Sequence, residues 1–229
     1  MKQKRVVSVS FFLMGVLYCI CLVVSNLFGT KLVQVGSYSM TAGLIVFPIS
    51  YIINDCVAEV WGFRKARLII WVGFAMNFFV VLLGAIAVAL PPAPYWVAND
   101  AHFRFVFQLA PRIAAASLVA FVVGSFLNAF VMSKMKLHDR EKRFSLRAIL
   151  STLAGEGADS LIFFPLAFGG LMPVQDLLKM MLLQVTAKTL YEILALPITI
   201  QVVKHVKKIE EYSAYDTDVS YNPLKIKDI

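Results

Sequence analysis

Two carboxylates, Glu156 and Asp159, stand three residues apart inside an apolar stretch long enough to cross a membrane. At helical spacing, residues i and i+3 share a face, so both side chains point towards the same neighbour. An aspartate at the centre of a membrane helix costs about 2.5–3.5 kcal/mol on insertion scales, so it usually faces a polar cavity or a partner. The pair predicts a polar binding site within a membrane. The alternative is a buried ionic lock without a ligand.

The last apolar stretch carries the obvious counter-ion. Lys188 lies about midway along it, and Glu192 follows one turn later. Lys188 can pair with Glu192 within the helix, or it can reach Glu156 or Asp159 on the preceding helix. Together with Asp55 on the second stretch, four carboxyl groups then face one cation. Such an excess is unstable when dry, which predicts protonated carboxyls, bound water, or a ligand that offers hydrogen-bond donors or positive charge.

The second apolar stretch places Tyr51, Asp55 and Glu59 on one stripe, because these residues are four positions apart. We expect Asp55 to join a polar network or a binding site. Glu59 is expected near the inner headgroups, where a salt bridge with the basic run 64–67 is the simpler role. A lone membrane Asn more often links helices than contacts a ligand, and Asn26, at the outer end of the first stretch, could line an entrance.

Composition places these residues in a membrane protein. Of the 229 residues, 59% are hydrophobic and only 16% are charged, which is too little charge for a soluble domain of this length. Six apolar spans cover residues 6–27, 40–60, 67–90, 112–133, 147–171 and 176–203. Each is near or above the roughly 20 residues that cross a bilayer as a helix. The predicted fold is all-α, a polytopic membrane protein of six transmembrane helices in one domain (1–204), with a partly disordered cytoplasmic tail (205–229).

Lys and Arg are distributed unevenly between the two sides of that arrangement. Fifteen lie on the side of both termini and four in the opposite connections. By the positive-inside rule, both termini are predicted to be cytoplasmic. The net charge of +8 then reflects topology and contact with anionic lipid headgroups, not a nucleic-acid partner. In the largest outer connection, apolar residues recur at helical spacing over 99–110, which predicts a short interfacial helix.

Enzymatic functions find little support. His102, His138 and His205 fall in predicted loops or the tail, so the spans hold no Ser–His dyad and no HExxH zinc motif, and the chain has no P-loop. An intramembrane aspartyl protease would use two Asp on separate helices, but the residues that flank Asp55 and Asp159 give it no further support. We expect no enzyme activity, no cofactor and no metal.

With these residues placed, the chain resembles the queuosine precursor transporter family, a group of vitamin-uptake-type membrane proteins, over residues 26–200. The resemblance rests on four motifs in order: Asp55-x3-Glu59-x-Trp61-Gly62-x3-Ala66-Arg67, Arg112-Ile-Ala-Ala-Ala-Ser117, Ser151-x4-Glu156-x2-Asp159-Ser160 and Lys188-x8-Pro197. It implies a six-helix protein of the inner (plasma) membrane that imports the 7-deazaguanines preQ0 and preQ1. These nucleobases serve the synthesis of the modified tRNA base queuosine.

The resemblance agrees with the excess of carboxylates. A deazaguanine presents a ring N–H and an exocyclic amine side by side, a donor pair that one carboxylate can accept bidentately. We expect Glu156 or Asp159 to bind this edge, with Lys188 as charge balance and Asp55 and Asn54 as secondary contacts. The remaining substrate-binding candidates are a ring for stacking on the base and further polar groups, namely Tyr51, Glu192, Asn128 and Asn26.

Two other hypotheses stay open. A substrate-binding subunit of an energy-coupling-factor vitamin importer would also have six helices but would need partner ATPases. The first helix lacks the Ala-x3-Ala face with which such subunits often dock. A non-transporting scaffold predicts that Glu156→Gln and Asp159→Asn damage folding alone. The expected partners are a small nucleobase and membrane lipids, and the sequence leaves a homo-oligomer open.

Overall fold

The computed structural model describes residues 7–35, 38–107, 111–139, 143–170, 173–211, 213–216 and 219–225. Within them the chain is helical apart from one antiparallel hairpin, in which Val33 pairs with Met40. The elements are α1 (Val9–Gly29), β1 (Leu32–Val35), β2 (Tyr38–Thr41), α2 (Phe47–Ala89), α3 (Val97–Phe107), α4 (Pro111–Asp139), α5 (Phe144–Phe168) and α6 (Val174–Glu210). Apart from this short hairpin the fold is all-α, as predicted, and α3 confirms the short helix predicted in the outer connection.

Length and apolar surface identify a polytopic membrane protein. Five described helical segments are long and apolar enough to cross a membrane: Val9–Gly29, Ala42–Ala89, Ala115–His138, Phe144–Phe168 and Leu177–Glu210. Large apolar side chains on several of these helices point outward, and Phe12, Phe78 and Leu182 are each more than half exposed. Such a surface is covered by lipid in a membrane protein and would promote aggregation in water.

The helix α2 comprises two of the predicted spans. As a straight rod its 43 residues would extend about 65 Å, roughly twice the hydrocarbon thickness of a bilayer. It is interrupted at Gly62, whose φ of 81° and ψ of 176° are not helical. This conformation is essentially restricted to glycine, because a Cβ would collide with the neighbouring backbone. We call the parts before and after the break α2a (47–61) and α2b (63–89).

Contacts with α1 show that the chain reverses direction at the break. Near the start of α1, Phe11 packs edge-to-face on Trp61 at the end of α2a, with 5.4 Å between ring centroids. Near the other end of α1, the carbonyl of Ser25 lies against Gly43, which immediately precedes α2a. α1 and α2a are therefore antiparallel.

The second part of α2 follows the opposite course. Gly15 of α1 lies beside Ile69, and further along α1 the amide of Asn26 donates to Asn77 at 2.5 Å. α1 and α2b are therefore parallel, so α2a and α2b are antiparallel to each other. The two predicted spans within α2 are thus two separate passes through the bundle.

One end of the bundle gathers the ends of several helices around Glu59. Lys136 near the end of α4, Arg147 near the start of α5 and Lys207 near the end of α6 all approach its carboxylate. The start of α1 lies here too, through the contact of Phe11 with α2a. We call this the basic end. The start of α1 and the end of α6 therefore lie on the same side of the bundle.

The described part of the C-terminal tail packs beneath the break in α2. The break removes helical partners from nearby backbone groups, and the tail supplies new ones. The amide of Ala214 donates to the Val60 carbonyl at 2.9 Å, and the amide of Phe63 donates to Asp216 Oδ2 at 2.9 Å. The hydroxyl of Ser133 on α4 donates to the same Asp216 oxygen.

A second set of contacts holds the following tail residues. The Arg67 guanidinium donates to the carbonyls of Ser220 and Asn222 at 3.0 and 2.8 Å. The ring of Tyr221 packs against Phe63 at 5.0 Å between centroids, and burial raises the pKa of its phenol. α6 also continues to Glu210, past the predicted boundary at 204. Partial disorder of 205–229 stays a prediction, but the described tail residues make specific contacts.

Candidate functional site

Polar side chains of α2a, α5 and α6 meet inside the bundle in three layers. Successive layers are separated by one helical turn, because α2a contributes one residue to each layer at a spacing of four, which corresponds to about 6 Å. The lysine layer consists of Tyr51, Glu156, Asp159 and Lys188. The acid layer consists of Asp55, Ser151, Thr152 and Glu192. The basic layer consists of Glu59, Lys136, Arg147 and Lys207.

In the lysine layer, one cation serves two acids. Lys188 Nζ lies 2.5 Å from Glu156 Oε2 and 3.5 Å from Asp159 Oδ2. All three residues are buried, and Nζ also lies 3.9 Å from the centroid of the Phe47 ring. Lys188 therefore pairs between helices, with both acids of α5. The intrahelical alternative with Glu192 is not formed, since neither oxygen of Glu192 has a hydrogen-bond partner among the described residues.

Two glycines leave room for the Tyr51 side chain in this layer. A Cβ built on Gly124 would lie 2.5 Å from the Tyr51 hydroxyl, and one on Gly155 would lie 2.8 Å from its ring. The backbones of α4 and α5 meet here, because the Gly124 Cβ would also lie 2.8 Å from the Gly155 carbonyl oxygen. The Tyr51 hydroxyl is buried and, among the described residues, has no hydrogen-bond partner. Its unused hydrogen-bonding capacity faces the two acids of α5.

The acid layer holds two carboxyls and no cation. Asp55 is fully buried and Glu192 is 2% exposed. Asp55 Oδ1 accepts from the Ser151 hydroxyl at 3.2 Å, whereas Oδ2 has no donor in the described part of the chain. Glu192 lies close enough to Asp55 for the two carboxyls to interact electrostatically. No described Lys, Arg or His forms an ion pair with either acid.

Two amides support the acid layer from the side. The Asn54 Nδ2 group donates to Asn128 Oδ1 at 2.6 Å and to the Ser125 carbonyl at 3.1 Å. Asn128 Nδ2 in turn reaches Thr152 Oγ1 at 3.5 Å. This chain links α2a, α4 and α5 and leaves Asn54 Oδ1 without a donor in the described structure. The two asparagines therefore act first as links between helices.

The basic layer confirms a salt-bridge role for Glu59 but corrects its partners. Its carboxylate lies 2.7 Å from Arg147 Nη2, 2.7 Å from Lys207 Nζ and 3.9 Å from Lys136 Nζ. The run 64–67 was expected to supply the partner because it is near in sequence. The chain reverses between them at Gly62, and the Arg67 guanidinium is directed to the tail carbonyls instead.

The structure gathers eight of the nine predicted site residues around these layers and places Asn26 elsewhere. The Asn26 amide bonds to Asn77, and its oxygen accepts from Ser117 at 3.4 Å, so it links α1, α2b and α4. The side chain of Arg112 lies outside the described residues. Sequence reasoning missed Phe47 and Thr152 as members of the site. Both lie one turn from a recognised member, Phe47 before Tyr51 and Thr152 before Glu156, and that spacing could have identified them.

The chemistry of this interior is that of an acceptor-rich polar cluster. The buried side-chain oxygens without a hydrogen-bond partner among the described residues are Tyr51 Oη, Asn54 Oδ1, Asp55 Oδ2, Glu156 Oε1, Ser160 Oγ, Thr189 Oγ1 and both carboxylate oxygens of Glu192. Leaving a buried polar atom unpaired costs about 1–3 kcal/mol, so a cluster of them favours a ligand that brings donors. The described residues contain no group of three or more His, Cys, Asp or Glu arranged to hold a metal ion.

Comparison with known proteins adds independent information. The family described as "Putative vitamin uptake transporter" matches residues 41–202, a range that holds all three layers except Lys207. The "Probable queuosine precursor transporter" of Bacillus subtilis is 25% identical over 176 residues, which is 76% of each chain. The "Queuosine precursor transporter" of Escherichia coli is 27% identical over 159 residues, 69% of each chain. A "Probable queuosine precursor transporter" of Haemophilus influenzae is 28% identical over 181 residues, 73% of this chain and 71% of the relative. No solved structure matches the chain.

Proposed function

The chain belongs to the vitamin uptake transporter family, and from this premise we propose that it imports 7-deazaguanine precursors of queuosine, such as preQ0 and preQ1, across the inner membrane. The family is one of transporters, which agrees with the prediction that the chain is not an enzyme. The names of three relatives support the substrate class. The single observation that carries the proposal is the acceptor-rich interior around Lys188, because a deazaguanine presents a ring N–H and an exocyclic amine side by side as donors.

The proposed topology has six membrane crossings and both termini in the cytoplasm. The reversal at Gly62 supports six crossings, because it divides α2 into two antiparallel passes. The distribution of Lys and Arg, fifteen against four, supports the orientation by the positive-inside rule. The basic end then faces the cytoplasm. Of the three layers, the lysine layer is the farthest from the cytoplasmic side of the membrane. Residues 1–204 would form the transmembrane domain.

Asp159 is the better candidate for the base edge. Its contact with Lys188 is longer than that of Glu156, 3.5 against 2.5 Å, and its side chain is 11% exposed whereas that of Glu156 is fully buried. A substrate can therefore reach Asp159 with less rearrangement. Glu156 would stay paired with Lys188 and keep the cation in place. The Tyr51 ring, which packs against Phe47 at 5.6 Å between centroids, is our candidate for stacking on the base, and its hydroxyl, which has no partner among the described residues, is our candidate for a hydrogen bond.

The test is queuosine formation in cells that cannot synthesise preQ0. Such cells, supplied with nanomolar preQ0 or preQ1, should contain queuosine in tRNA only when this gene is present. Losing a hydrogen bond to a charged group costs about 1.5–3 kcal/mol, so Asp159→Asn should weaken uptake about 10- to 150-fold. The matched control is Asp100→Asn, the same chemical change in a partly exposed pair on α3. Absence of queuosine despite membrane expression would refute the substrate assignment.

Purified protein distinguishes transport from the two other hypotheses. In liposomes that contain this chain alone, the proposal predicts uptake of labelled preQ0. A subunit of an energy-coupling-factor importer would show none until ATPase subunits were added. A scaffold would show none under either condition, and Asp159→Asn would then change only its thermal stability.

A further inference from the structure

The three layers differ in their balance of charge. The lysine layer has two acids and one cation, whereas the basic layer has one acid and three cations. Between them the acid layer has two carboxyls, Asp55 and Glu192, and no cation among the described residues. The base contacts proposed above, Asp159 and Tyr51, both lie in the lysine layer. They leave the charge of the acid layer without a role.

Two facing carboxylates in a dry interior cannot both stay ionised. Their repulsion and the loss of hydration both favour binding of a proton. Among the described residues, the Ser151 hydroxyl donates to Asp55 Oδ1 at 3.2 Å, whereas Asp55 Oδ2 and both Glu192 oxygens are buried without a hydrogen-bond partner. The titratable and charged groups of the two adjacent layers, together with Cys56, are Tyr51, Cys56 and Glu59 on α2a, Lys136 on α4, Arg147, Glu156 and Asp159 on α5, and Lys188 and Lys207 on α6.

We propose that Asp55 and Glu192 bind the proton that drives uptake, so that the protein is a proton–substrate symporter. This inference rests on the proposed transport function and adds its energy source. A proton from external water forms an O–H bond with one carboxylate of the pair while the substrate binds in the lysine layer. When the basic end opens, that O–H bond breaks and the proton passes to cytoplasmic water as the substrate leaves. One proton enters for each substrate, and the pair returns to its starting charge.

The basic layer gives this cycle a direction. The cationic groups of Arg147, Lys136 and Lys207 gather around Glu59, one helical turn from the acid layer on its cytoplasmic side. A positive potential favours the ionised form of a nearby carboxyl. Rearrangement of this layer during opening therefore promotes release of the proton towards the cytoplasm.

The test uses the full chain in liposomes with labelled preQ0, which is neutral, and with the membrane potential clamped at zero. One pH unit corresponds to a tenfold ratio, so coupling to one proton predicts about tenfold accumulation when the outside is one unit more acidic. No accumulation at equal pH is the expected baseline. A ratio of one under the pH gradient would overturn the proposal, and so would accumulation driven by a sodium gradient at equal pH. Exchange of labelled for unlabelled preQ0 at equal pH separately tests transport itself, and its absence would overturn both proposals.

Variants then locate the proton. Glu192→Gln should reduce the accumulation ratio from about ten to about one. Asp55→Asn should do the same, and it replaces the first variant if that protein does not fold. The matched control, Glu210→Gln at the end of the same helix, should keep the wild-type ratio. The ratio is read instead of the rate, so a change in basal activity does not affect the result. A full tenfold ratio in either acid-layer variant would overturn the assignment to this pair.

Discussion

Replacement of Lys188 by methionine tests whether one lysine holds the centre of the site together. Methionine has a similar length and no charge, so Glu156 and Asp159 would lose their shared cation. Removing one partner of a buried ion pair costs about 3–5 kcal/mol. Uptake of a proton by the released acids limits this loss, so we expect the free energy of unfolding to fall by about 3 kcal/mol. For a chain of this size, 1 kcal/mol shifts the melting temperature by about 2–4 °C, and Lys188→Met should therefore lower it by about 6–12 °C.

The assay is thermal unfolding of the purified protein in detergent, followed by tryptophan fluorescence. The matched control is Lys204→Met, the same change at an exposed position of α6. Its melting temperature should equal that of the wild type. Adding Glu156→Gln to Lys188→Met should recover part of the loss, because one buried charge is then removed as well. The destabilisation should also shrink as the pH is lowered, since protonation neutralises both acids. A melting temperature within about 2 °C of wild type for Lys188→Met, with no recovery in the double variant, would refute the role of Lys188 as the counter-ion.

Three further predictions concern the basic end. Gly62→Ala should lower the free energy of unfolding by about 1–3 kcal/mol, because the backbone conformation at this position is essentially restricted to glycine and a Cβ would lie 2.7 Å from Asp216 Oδ1. Thermal unfolding measures this change. The neutral control is Gly157→Ala, whose Cβ would meet no atom within 4 Å. Asp216→Ala should lower the free energy of unfolding by about 1–3 kcal/mol and speed proteolysis of the tail, since the Phe63 amide loses its acceptor. An unchanged rate of proteolysis would contradict this contact. Glu59→Gln should lower the melting temperature by at least 6 °C, because Lys136, Arg147 and Lys207 all lose a buried anionic partner; a smaller shift would mean that the basic layer is well hydrated.

Properties that depend on local sequence were predictable for this protein. A run of about 20 apolar residues partitions into a membrane on its own account, so the spans and the membrane class follow from composition. Helical periodicity, another local rule, placed Tyr51, Asp55 and Glu59 on one stripe and identified Glu156 and Asp159 as neighbours. The rarity of charge inside a membrane then identified the lysine and acid layers before their geometry was known.

The partners of these residues were decided by tertiary structure alone. Glu59 binds Lys207, which is 148 positions away, and not the adjacent basic run, because the backbone reverses at Gly62. Asp216, in a tail with little sequence signal, lies under that same reversal for a geometric reason, since the break leaves backbone groups that need partners. Periodicity specifies which face a side chain occupies but not which helix that face meets. Local patterns therefore determined what this protein contains, and the packing of distant segments determined which charges neutralise one another and which carboxyl pair has no cation among the described residues.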